Sequence, residues 1–133
     1  MAIVVPNSIE EVIAQYILTT ADLKLRLYSN NYAPAENAVI ASFTEVTGGG
    51  YAAKTLSSGS WTITIGNPTE GVYAAQTFSF TGTIGGSGVV YGYYVTNTAG
   101  TTLYWAESLP SAVNPFTPGN GSYVRITPRF QVS

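Results

Sequence analysis

Leu23-Lys-Leu-Arg-Leu-Tyr28 places leucine at every second position, with Lys24, Arg26 and Tyr28 in alternation. Side chains on a strand point to opposite faces in turn, so this stretch is a half-buried strand. It turns the reading of the rest of the chain to β. Ser29–Asn37 follows as a polar loop, and further strands are predicted at Tyr51–Leu56, Trp61–Ile65, Val72–Phe80, Val89–Thr96, Thr101–Glu107 and Tyr123–Val132. Turn chemistry separates them, at Gly48-Gly49-Gly50, Gly66-Asn67-Pro68, Gly85-Gly86-Ser87-Gly88, Asn97-Thr98-Ala99-Gly100 and Gly119-Asn120-Gly121. In the last strand Val124, Ile126 and Val132, with Phe130, oppose Tyr123, Arg125, Thr127 and Arg129. Pro128 marks that strand as an edge or a bulged one, because proline cannot donate to a ladder. Seven or eight short strands at regular spacing, without a repeat or a linker, predict a mainly β, single-domain β-sandwich or jelly-roll-like fold across 23–133.

Residues 1–22 form an N-terminal segment with one short amphipathic helix. Ser8 is placed to cap it, and Glu11 three residues on completes a capping box. Glu10 and Glu11 suit the positive end of the helix dipole. Ile9, Val12, Ile13, Tyr16 and Ile17 recur at helical spacing as a single apolar stripe, and Thr19-Thr20-Ala21-Asp22 ends the helix. About three turns cannot form a bundle alone, so the stripe must dock on a sheet or on another subunit. These five residues are the candidate interface, with packing on the chain's own sheet as the equal alternative.

Composition bounds the chemistry. The chain is 45% hydrophobic and 13% aromatic but only 9% charged, with no histidine and no cysteine. An ordinary domain carries about 25% charged residues. Histidine and cysteine supply the common general bases, soft-metal ligands and activated nucleophiles, so most of the enzyme repertoire is missing and no disulfide exists. A mass of 14.0 kDa fits one domain. Five dispersed cations cannot make a phosphate-tracking stripe, so nucleic acid is not an expected partner. No apolar run approaches a membrane span, and Met1–Pro6 lacks the basic and apolar regions of a secretory signal. A net charge of −2 leaves little repulsion between copies, which favours association.

Few motifs carry chemistry. Glu36, Glu45, Glu70 and Glu107 could supply the paired carboxylates of a glycosidase, but isolated surface carboxylates are the expected background and no catalytic residue is assigned. Trp61, Trp105 and the ten tyrosines could stack on sugar rings. Tyr91-Gly-Tyr-Tyr94 and Leu103-Tyr-Trp105 lie in strands, where core packing is the stronger explanation. The glycine runs lack the Gly-Lys-Ser/Thr of a phosphate loop. Pro115-Phe-Thr-Pro118 and Asn114-Pro-Phe116 are short enough to be chance, and Asn120-Gly-Ser122, a formal glycosylation sequon, is a turn. Acidic spacing gives no calcium loop, and no metal or other cofactor is expected.

The order of these pieces is more specific than any one of them. After the helix come Leu25-Arg-Leu-Tyr-Ser-Asn-Asn-Tyr-Ala-Pro34, Ala41-Ser-Phe-Thr-Glu-Val46, Gly50-Tyr-Ala-Ala-Lys-Thr-Leu56 and Trp61. Then follow Ala75-Gln-Thr-Phe-Ser-Phe80, Val90-Tyr-Gly-Tyr-Tyr-Val95, Leu103-Tyr-Trp-Ala-Glu107 and Ile126-Thr-Pro-Arg-Phe130. Across nearly the whole chain this resembles small structural proteins encoded by tailed bacteriophages. The resemblance implies a virion component made in the host cytoplasm, foremost a capsid decoration (cement) protein that binds the major capsid protein. It also implies self-association, a homotrimer favoured over a dimer. A tail-associated or fibre-tip module binding a receptor or glycan is the alternative.

Overall fold

The computed structural model describes residues 4–132. Helix α1 (Asn7–Thr19) precedes nine strands: β1 (Leu23–Tyr28), β2 (Lys54–Leu56), β3 (Thr62–Thr64), β4 (Thr69–Val72), β5 (Gln76–Ser79), β6 (Gly92–Asn97), β7 (Leu103–Ser108), β8 (Tyr123–Ile126) and β9 (Arg129–Val132). All pairings are antiparallel, in sheets ordered β2-β1-β6-β7, β3-β4-β9 and β5-β8. The fold is mainly β and sandwich-like, with one helix near the N-terminus, as the alternation predicts.

The predicted strand Tyr123–Val132 is two, and Val72–Phe80 contains β5 and only the last residue of β4, which begins earlier, at Thr69. Thr69–Ser79 and Tyr123–Val132 run side by side as a long ribbon, but the ribbon breaks midway and its halves belong to different sheets. The break falls at Tyr73–Ala75 on one side and Thr127–Pro128 on the other, and the Tyr73 amide donates to the Pro128 carbonyl at 3.0 Å. Proline has no N–H to continue the ladder, so the ribbon turns a corner there and feeds both sheets. The in–out phase survives the corner: Val124 and Ile126 are buried and Phe130 and Val132 half-buried, while Tyr123, Arg125, Thr127 and Arg129 are exposed.

One apolar core joins the three sheets and the helix. Leu23, Leu25 and Leu27 of β1 and Tyr93 and Val95 of β6 face Phe78, Val124, Ile126 and Leu18, with Trp61, Ile63, Trp105 and Phe130 at its margin. The four-stranded sheet is covered on its other face too. Tyr28 and Tyr94 point there, and Phe43 stacks on Tyr94 with centroids 4.7 Å apart while meeting Tyr28 edge-on at 5.0 Å. The segment that follows β1 is therefore a cover, not only a polar loop. Its shape is held by Asn30, whose amide donates to the Ser42 carbonyl (2.9 Å) and whose oxygen accepts from the Thr44 amide (2.8 Å).

The helix differs from expectation at its start and in the face it buries. It begins at Asn7, with extended Pro6 at the cap position and no side-chain cap. The Pro6 carbonyl instead accepts from the amides of Ile9 and Glu10. Ser8 thus lies inside the helix, and Glu11 accepts from Gln15 at 3.3 Å, so the capping box does not form. The buried face is Glu10, Ala14 and Leu18, packed on β3, β4 and β9. Small residues permit this close approach: a Cβ on Gly71 of β4 would run into Leu18 Cδ1. Gly71→Ala is expected to destabilise the fold by about 1–3 kcal/mol, the usual cost of overpacking. An unchanged urea midpoint would show that the helix can shift freely on its sheet.

Burial also sets an alkaline limit. Burial raises the phenol pKa of Tyr28, Tyr51, Tyr93 and Tyr94, that of Tyr94 to about 12, with Glu45 adding to the shift at Tyr51 and Tyr94 and Glu107 at Tyr93. Their folded values lie above the unfolded value near 10. The stability they contribute is therefore complete below about pH 10 and is lost as pH climbs toward and beyond 12. Denaturant midpoints should hold up to about pH 10 and then fall, in step with late tyrosinate absorbance. A midpoint constant through pH 12 would contradict this.

Candidate functional site

With Glu10, Ala14 and Leu18 turned inward, the apolar stripe centres about 130° around the helix from the buried face. Ile9, Val12, Ile13 and Tyr16 are exposed, Val12 at 57% and Tyr16 at 73%. Of the five candidates only Ile17 packs against the core, at the boundary between the two faces. Val4 and Val5, just before the helix, are exposed as well. At the far end Tyr16 and Ile17 share a small cleft with Leu23 and Tyr104, the latter 40% exposed on β7. The result is an apolar strip along the helix, reaching Tyr104 at its far end, that the described residues leave uncovered. Tyr104 was not legible as a neighbour, because only the fold brings β7 near the end of the helix.

The helix carries no basic residue, and Glu10, 3% exposed, is turned away from the strip onto Thr69. The Thr69 hydroxyl lies 3.1 Å from Glu10 Oε2 and 3.2 Å from the Gly66 carbonyl, which ties the first helical turn to β4. The exposed strip is thus nearly free of charge, Glu11 at its flank excepted. Apolar strips of this kind on a surface mark contact sites.

A second feature opens between the β7 edge of the four-stranded sheet and β8–β9. Tyr93, Glu107, Thr127, Arg129 and Gln131 line a polar cleft of about 400 Å³, which continues past Arg125 toward Leu109 and Pro110. The Tyr93 hydroxyl donates to Glu107 Oε1 at 3.2 Å. Gln131 Nε2 donates to Glu70 Oε2 at 2.9 Å, and Arg129 forms an ion pair with the same carboxylate, Nε 3.3 Å from Oε1. The four carboxylates weighed from sequence separate accordingly. Glu70 pairs with Arg129 and Glu107 lines the cleft with that arginine, whereas Glu45 is bound to Arg26 (2.9 Å) and the Tyr51 hydroxyl (2.8 Å). Glu36 is exposed beside another surface hollow, with Pro34, Leu103 and Tyr104. Tyr93, Arg129 and Gln131 escape a sequence reading because three separate elements contribute this cleft's polar groups.

The tryptophans sit half-buried at the core margin. Trp61 meets Trp105 edge-on at 6.1 Å and Tyr73 at 5.1 Å, and Trp105 leans on Phe130 at 5.3 Å. They pack the core edge rather than form an open stacking platform. Among the described residues no group of three or more acidic side chains could hold a metal ion, and no helix is long and apolar enough to cross a membrane. Comparison with family models, curated proteins and solved structures returns no match. Function must therefore be read from this chain's own surfaces, the apolar helix strip first among them.

Proposed function

We propose that this chain is a structural protein of a bacteriophage virion, a capsid decoration protein that acts by contact and not by catalysis. The observation that supports this is the helix face of Ile9, Val12, Ile13 and Tyr16, built to be apolar and left uncovered by the chain's own core. Its occupant in this proposal is the major capsid protein on the outer lattice. A cement subunit must attach to a finished shell, so shape and apolar contact serve it better than charge that salt would screen. The low charge of the whole chain and its resemblance to small phage structural proteins agree with such a role.

Four helix side chains and their neighbours make a modest footprint, below the ~800 Å² per partner of a standard stable interface. A homotrimer seated on local threefold positions overcomes this, because three linked footprints act at high effective concentration. A tail-associated module is the second reading, favoured only by the polar cleft beside β7. Reconstruction of the particle is the test: density for this fold is expected on the head lattice. Density confined to the tail would overturn the decoration role.

A further inference from the structure

The polar cleft has a chemistry of its own, independent of the helix face. Glu107 uses one oxygen for the Tyr93 hydroxyl, which leaves Oε2 as a free acceptor. Arg129 is held by its ion pair with Glu70 through the Nε side, which leaves the four N–H groups at the end of its guanidinium. Gln131 donates through its amide nitrogen and keeps its carbonyl oxygen. Thr127 adds a hydroxyl beside them. The cleft therefore offers unused donors and acceptors together, with Glu107, Arg129 and Gln131 each held by a partner.

Charge decides what could lie there. Glu70 and Glu107 balance Arg125 and Arg129, so the cleft favours neither an anion nor a cation. A ligand bearing several hydroxyls satisfies such a wall, since each hydroxyl can donate to a carboxylate while accepting from a guanidinium. The volume of about 400 Å³ lies within the range of small-molecule sites.

We propose that the cleft between β7 and β8–β9 binds a neutral saccharide, held between the Glu107 carboxylate and the Arg129 guanidinium. Trp105, two residues before Glu107 on β7 and packed on Phe130, is the fluorophore beside the cleft. The site works whether the chain sits on a head or on a tail.

The test is titration of the whole purified chain with glucose, galactose, mannose, N-acetylglucosamine, lactose and maltose. Inorganic phosphate and glycine serve as charged and zwitterionic competitors. Tryptophan emission and the amide resonances of Glu107, Thr127 and Arg129 are followed. At least one sugar is expected to shift both saturably. Glu107→Gln and Arg129→Ala should each weaken it about tenfold or more, the loss that follows removal of a hydrogen bond to a charged group. Glu36→Gln, beside the other hollow, should leave binding unchanged, and so should Val12→Asp on the helix, which separates this test from that of the decoration role. The site is overturned if no sugar binds, if the shifts map elsewhere, or if folded Glu107 and Arg129 variants bind as well as the parent. Tighter binding of phosphate or glycine would overturn the ligand class.

Discussion

Gly92→Ala is expected to lower the stability of this chain by about 3 kcal/mol or more, the upper end of overpacking. Gly92 opens β6, the strand between β1 and β7, and pairs with Tyr28 on one side and Ser108 on the other. A Cβ there would lie 2.5 Å from the Tyr28 hydroxyl and 2.6 Å from its ring, and would collide with the Glu107 carbonyl. The backbone carbonyl cannot yield without breaking the β6–β7 ladder. Tyr28 cannot yield either, because it is fully buried and its hydroxyl holds the Tyr32 carbonyl at 2.9 Å. Displacing it would loosen Phe43 and the cover over the back of the sheet. A fall in Tm of roughly 10 °C or more is expected by calorimetry. A change of a degree or two would show that the sheet centre is softer than this packing implies.

Val12→Asp with Tyr16→Asp is expected to do the opposite: stability nearly unchanged, attachment lost. Both side chains are mostly exposed, and surface substitutions away from special features usually stay within about 0.5 kcal/mol. At the interface the same two carboxylates would be forced into an apolar contact and left unpaired, which costs several kcal/mol per ion. Added back to particles that lack the chain, the double variant should sediment free while the parent sediments with the shells. Full attachment of a normally folded variant would show that the strip is not the docking face. A variant that attaches but no longer forms trimers would assign the strip to a second copy instead.

The sheet layout was largely legible in the chain because alternation is a local signal. Leu23, Leu25 and Leu27 point inward as their spacing requires, and the glycine-rich turns fall between strands. The corner at Tyr73 and Pro128 was not legible, since Pro128 shows a ladder ending but not that its partner ends opposite it. The face that the helix buries was not legible either. Its strongest apolar stripe was as good a candidate for core as for interface, yet the core takes Ala14 and Leu18 because Gly71 lets the backbone come close there. That choice depends on residues some 50 positions apart and leaves the larger side chains outside. The polar cleft is non-local in the same sense, with Glu107 and Arg129 from strands that do not pair with each other.

The copy number of this chain in the virion decides the proposed capsid-lattice role. Quantified against the major capsid protein in purified virions, the chain should be present on the order of hundreds of copies, as repeated lattice positions require. A few copies, or a few tens, would contradict the account and place the chain on the tail.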